Sequence, residues 1–194
     1  MAKREKKADP KSNGAPTSGV PADPRVREAQ DRFIATWGQA GSTWGISRTM
    51  AEVHALLYIT GASLCTDDVM DRLQISRGNA SMSLRALQDW GIIARVHRRG
   101  DRKEYFEAEQ DVWTLFKTIA RERRKRELDP VTAALFEIRD LTPDAKDGEA
   151  QAHNTRMDEM LEFFQTIASL SDSLIGPKGA GLRAAFALLA KAKK

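Results

Sequence analysis

The sequence predicts a mainly α fold with a small β-wing. Three observations carry this. Apolar residues recur at helical spacing along most of the chain from residue 24 on, as in Val26, Ala29, Phe33, Ile34 and Trp37. Two short strand-like segments, Ile92 to Arg98 and Lys103 to Ala108, flank Arg99-Gly100-Asp101-Arg102, which reads as a tight turn. Glycines at 41, 61 and 91 stop helical segments, and Asp23 and Ser76 stand where caps would start them.

Taken in order, residues 1–23 hold Pro, Gly, Ser and charge with little to bury, and are expected to form a disordered basic tail. Lys3, Arg4, Lys6 and Lys7 precede no apolar stretch, so they do not read as a secretory signal. Asp23-Pro24 is a cap followed by a first-turn proline, opening a helix that ends near Gly41. A second helix is predicted from about Ser47 to Thr60, with an apolar face of Met50, Val53, Leu56, Leu57 and Tyr58. Thr66 is the expected cap of a short third helix, whose first turn holds Asp67 and Asp68, where the helix dipole favours acids. After a turn at Gln74-Ile75, Ser76 caps a fourth helix from Arg77 to about Trp90. Beyond the hairpin, helices are expected over Asp111 to about Leu128, from Asp129-Pro130 to about Leu141, and over Glu149 to about Leu170. Gly176-Pro177 and Gly179 then precede a last helix.

Net charge is +4, a weak pointer to a polyanion by itself. One cysteine, Cys65, excludes an intrachain disulfide. No stretch approaches the roughly 18–20 apolar residues that span a bilayer. The chain is expected to be soluble and cytoplasmic, with no membrane partner.

Helix, helix, helix, hairpin is the winged helix-turn-helix order. On a wheel of about 100° per residue, Ala80, Leu84 and Leu87 share a face that must be buried. Gly78, Ser81, Met82 and Arg85 fall opposite. That outer face is slim, as entry into a major groove about 12 Å wide requires. Arg85 and Arg77 can reach base edges or phosphates; Ser76, Asn79 and Ser81 can donate to phosphates near the helix N-terminus. The hairpin concentrates Arg95, Arg98, Arg99, Arg102 and Lys103 against one opposing charge, Asp101, which is read as pairing with an arginine to hold the turn. Such a tip suits the minor groove or flanking phosphates. The expected partner is double-stranded DNA. A plain capped surface helix and a solvated hairpin remain the bland alternatives, and a winged-helix protein-interaction module is the functional one.

The run Thr66 to Leu73, then Ile75-Ser76-Arg77-Gly78-Asn79-Ala80-Ser81-Met82-Ser83-Leu84-Arg85-Ala86-Leu87, then Trp90-Gly91-Ile92-Ile93, resembles MarR-type regulators. Ile46-Ser47-Arg48-Thr49, and Gly100-Asp101-Arg102-Lys103 followed by Glu104-Tyr105-Phe106, are similar to the GbsR-like subgroup. The resemblance covers about residues 25–130. It departs from the family's small glycine in the middle of the second helix, where this chain has Glu52-Val53-His54. It implies a recognition helix in the major groove, a wing on the backbone or minor groove, a homodimer, repression as the usual mode and a small-molecule effector.

The implied organisation is a tail (1–23), an N-terminal dimerisation or junction helix (24–44), a winged unit (45–108) and a helical dimerisation region (109–194). Apolar series at Leu161, Phe163, Phe164, Ile167, Leu170 and Leu174, and at Leu182, Ala185, Phe186, Leu188 and Leu189, exceed what a winged unit needs for its core. Trp37 and Trp44 are the candidate effector residues, since aromatic cages take quaternary ammonium groups such as choline; buried core tryptophans are the alternative. The basic run Arg121, Arg123, Arg124, Lys125 and Arg126 reads as a solvated face or as a DNA-facing side. No spacing of His and Cys suits a metal, and no nucleophile elbow or phosphate-cradling loop is present. Neither a cofactor nor an enzymatic activity is expected.

Overall fold

The computed structural model describes residues 21, 23–143 and 147–175. Of the tail expected over 1–23, residues 1–20 and 22 lie outside the described residues, as do Gly176-Pro177, Gly179 and the last helix with its Leu182 to Leu189 series. Two compact units divide the chain: residues up to Asp89 with Ile93–Gln110, and Trp90–Ile92 with the residues from Asp111 on.

In the first unit α1 spans Pro24–Thr43, and its Asp23 cap accepts the Arg25 N–H at 2.8 Å. α2 spans Arg48–Thr60 and stops at Gly61, whose φ of 58° is the left-handed conformation that glycine adopts without cost. These two helices meet closely because α1 supplies the small residues. A Cβ on Gly41 would lie 2.5 Å from the Ala51 Cβ, and one on Gly38 2.5 Å from the Glu52 Cγ. Val53, Leu56, Leu57, Leu64, Val69, Leu84 and Leu87 are fully buried and form the core.

A strand absent from the sequence reading, β1 (Leu64–Cys65), opens the segment before α3 (Thr66–Leu73). Two residues are too short to display alternation. The strand corrects the capping assignment: Cys65, not Thr66, is the N-cap, and the Asp68 carboxylate accepts the Cys65 N–H at 2.8 Å. Gln74 then takes a left-handed φ of 53° and turns the chain into α4 (Arg77–Asp89). Ser76 caps α4, its hydroxyl oxygen accepting the Asn79 N–H at 3.3 Å.

β2 (Ile93–Val96) and β3 (Tyr105–Ala108) pair antiparallel, with β3 central in the order β1-β3-β2. Both are shorter than expected, so the connection widens to residues 97–104, and the tight turn lies within it at Arg98–Asp101, one residue earlier than expected. The register Val96↔Tyr105, if continued, would set Arg98 directly opposite Lys103. Like charges facing across a ladder are destabilising, so pairing stops before them.

In the second unit Asp111 caps α5 (Val112–Arg123), accepting the Thr114 N–H at 2.8 Å. The sequence suggested a helix to Leu128 and a restart at Asp129-Pro130. Instead α5 runs into a π-helical turn, Arg124–Leu128, and on into α6 (Asp129–Arg139). Pro130 has no N–H for the helical ladder, and the wider turn ahead of it accommodates the loss. α7 spans Gly148–Ile175, five residues past the expected end at Leu170. Buried Asn154 fixes the α6–α7 connection, accepting from the Thr142 hydroxyl at 2.6 Å and donating to the Thr142 carbonyl at 2.8 Å.

The basic run is largely tied within this unit. Arg121 donates to the Ile175 carbonyl at 3.0 Å, Arg124 to Asp172 at 2.7 Å, and Arg126 lies over the Trp90 ring at 5.2 Å. Arg123 pairs with Glu127 at 3.4 Å. Lys125 is exposed.

Candidate nucleic-acid interface

The burial of α4 divides along the predicted wheel. Ala80, Ser83, Leu84 and Leu87 are buried, while Ser76, Arg77, Gly78, Asn79, Met82 and Arg85 are exposed and Ser81 is half-buried. Met82, 63% exposed, contributes an apolar contact surface beside Arg85. The slim outer face therefore exists as a surface of the first unit.

The cations that the sequence treated as one group fall into two sets. Arg77 and Lys103 both pair with Asp67, each with a different carboxylate oxygen. Arg95 pairs with Glu104 across the hairpin. Arg98 folds back over the Tyr105 ring, 4.0 Å from its centroid, and donates to the Ser63 carbonyl at 2.7 Å. Arg98 thus ties the wing loop to the segment before β1. Arg85, Arg99 and Arg102 are exposed and enter no ion pair among the described residues.

Asp101 holds the wing loop, though not through an arginine as expected. Its carboxylate accepts the Tyr105 hydroxyl at 2.7 Å and the Lys103 N–H at 2.9 Å. These bonds, the hydroxyl first, hold its carboxyl below the ordinary range. The loop folds back where the Asp101 N–H donates to the Arg98 carbonyl at 3.1 Å, and Gly100 takes a φ of 88° there. The Gly100-Asp101-Arg102-Lys103 motif is therefore a self-bonded loop that leaves Arg99 and Arg102 outward.

Trp37 and Trp44 are brought together, ring centroids 6.0 Å apart and perpendicular. The sequence missed the rest of their cluster. Phe33 stacks on Trp37 at 5.8 Å, His54 lies 6.3 Å from Trp37, and Tyr58 stacks on His54 at 6.2 Å. Residues 33 and 37, and 54 and 58, are each four apart on a helix, so the i, i+4 spacing was the available signal. His54 is buried, its Nε2 has no hydrogen-bond partner, and burial pushes its pKa down to about 4. Buried Cys65 has its thiol pKa raised, chiefly by desolvation, which opposes thiolate reactivity. Among the described residues no group of three His, Cys, Asp or Glu could hold a metal, and no helix is long and apolar enough to cross a membrane.

A helix-turn-helix backed by a three-stranded antiparallel sheet, with its hairpin beside the second helix of the pair, defines the winged helix-turn-helix class. No family model matches the chain. It is 22% identical over 159 residues to the HTH-type transcriptional repressor GbsR of Bacillus subtilis (strain 168), covering 77% of this chain and 87% of that one. It is 21% identical over 155 residues to the HTH-type transcriptional repressor OpcR of the same organism, covering 75% and 83%. A solved structure described as a transcriptional regulator superposes with a TM-score of 0.55 at 21% identity, over 76% of this chain and 96% of that one. The resemblance read from the motifs is thereby supported across most of the chain: it is similar to GbsR-like, MarR-type regulators. Those relatives are named as transcriptional repressors.

Proposed function

We propose that the protein is a dimeric, sequence-specific repressor that binds double-stranded DNA, with α4 in the major groove and the 97–104 loop on the backbone or minor groove. The observation that carries this reading is that three exposed arginines on α4 and the wing loop enter no ion pair among the described residues: Arg85 on the outer face of α4, and Arg99 and Arg102 on the loop. Their guanidinium groups are available for base edges and phosphates, whereas a protein-docking wing would favour apolar or mixed residues there. Arg77, Arg95 and Lys103 join them at the DNA through their exposed ion pairs, and Arg98 acts by shaping the loop.

Dimerisation would place two recognition helices about 34–36 Å apart on successive turns of DNA. Supporting it, Met160, Phe163, Ile167, Leu170 and Leu174 alternate by three and four residues along α7. All but the half-buried Ile167 are exposed. A 3-4 repeat of this kind is the seam that a second helix covers. Light scattering at micromolar concentration should give a dimer mass; a monomer mass excludes it.

The aromatic cluster around Trp37 and Trp44 supports a small-molecule effector with a quaternary ammonium group, choline for example. Calorimetry with choline tests it, and an absence of heat at millimolar ligand rejects it.

The deciding experiment for the function is a gel shift of the protein's own upstream DNA against random DNA over a salt series. The expected result is a specific complex that weakens steeply with salt. Equal, weak binding to both DNAs at physiological salt would overturn the regulator reading in favour of a protein-interaction module.

A further inference from the structure

Asp67 stands at the corner where the recognition helix and the wing meet. It lies in the first turn of α3, and one of its carboxylate oxygens takes the Arg77 guanidinium from the start of α4. The other takes the Lys103 ammonium from the wing loop, at 3.1 Å. All three side chains are exposed: Asp67 by 40%, Arg77 by 68% and Lys103 by 55%. The two cations hold the Asp67 carboxyl below its ordinary range, Lys103 contributing first.

The cluster is not explained by local structure. Capping of α3 is done by Asp68, which accepts the Cys65 N–H and also supplies an acid to the first turn. Exposed ion pairs contribute little to fold stability. What the cluster does is geometric. It joins two cations from different elements, ten and thirty-six residues further along the chain, through one carboxylate. It also lowers the local charge from two positives to one net positive.

Both effects bear on DNA binding in opposite directions. A carboxylate beside phosphates weakens binding to any sequence, because one fewer counterion is released. Cations held in one geometry lose less side-chain freedom on docking and fix the register of α4 on the duplex. We propose that Asp67 is a specificity-determining positioning residue, which sacrifices general affinity for phosphate in order to present Arg77 and Lys103 together. This rests on the DNA-binding reading above.

The test uses the full chain with Asp67→Asn, Lys103→Gln and the double variant. The probes are a duplex selected by the parent protein from a randomised pool and a scrambled duplex of the same composition. Asp67→Asn should bind the scrambled duplex several-fold more tightly, steepen the log–log salt dependence by about one unit, and narrow the selected-to-scrambled ratio by about tenfold. A thermal melt of each variant that matches the parent's shows that the fold is kept, because an unfolded basic chain also binds phosphates without specificity. Lys103→Gln should narrow the ratio in the parent and leave it unchanged in the Asp67→Asn background, where Lys103 is already unheld. A ratio that survives Asp67→Asn, or effects of the two substitutions that simply add, would overturn the proposal. If the parent selects no sequence from the pool, the DNA-binding reading itself falls, and this inference falls with it.

Discussion

His54 makes the fold of the first unit sensitive to acid, by an amount the structure sets. The ring is buried between Trp37 and Tyr58, its Nε2 has no partner, and its pKa is pushed down from 6.5 to about 4. The unfolded chain takes up a proton near pH 6.5 that the folded chain refuses until near pH 4. Between those values the unfolded state binds more protons, so stability rises with pH there. The full contribution is present above pH 6.5, is lost as pH falls towards 4, and changes no further below. At about 1.4 kcal/mol per unit the loss is about 3 kcal/mol, a large fraction of a domain's marginal stability. Urea unfolding followed by far-ultraviolet circular dichroism at pH 7 and pH 4.5 measures it. His54→Phe keeps an aromatic ring in the cluster and removes the titration, so its stability should fall less than the parent's by most of that amount. Other groups titrate in both proteins and cancel in the difference. Parallel pH profiles for parent and variant would refute the argument, because they would mean that His54 is not desolvated in the folded state.

Other outcomes follow from the same geometry. Arg85→Ala should relax base preference by about 1–3 kcal/mol at one position, whereas Arg99→Ala should weaken binding evenly across sequences; competition assays over a panel of duplexes separate the two. Gly41→Ala should cost about 1–3 kcal/mol in a chemical melt, because its methyl would press on the Ala51 Cβ at 2.5 Å, a group with no rotamer to yield. Gly38→Ala, whose methyl meets the flexible Glu52 side chain, should cost less in the same melt. Cys65 should react with a disulfide reagent far more slowly than a free thiol at neutral pH, and at the rate of a free thiol once the protein is unfolded.

Among the described residues, the chain by itself determined where the helices and the wing lie and the division of α4 into two faces. Those rest on local rules: Ala80, Leu84 and Leu87 share a face by helical geometry alone, Ser76 and Asp23 cap by their side-chain chemistry, and Gly61 stops a helix by its φ. Two features eluded it for want of a local signal. β1 is too short to alternate, and it exists because β3 offers it a partner forty residues later. The π-helical turn at Arg124–Leu128 answers a proline that sequence rules read as a restart. At the candidate interface, composition marked the arginines but did not rank them. Asp67 to Lys103, Arg98 to Ser63 and Glu104 to Arg95 are contacts between segments that meet only when the chain is folded. They decide which cations are already engaged and which are free to meet a polyanion. Charge is a property of a residue, whereas its availability depends on the neighbours that tertiary packing supplies.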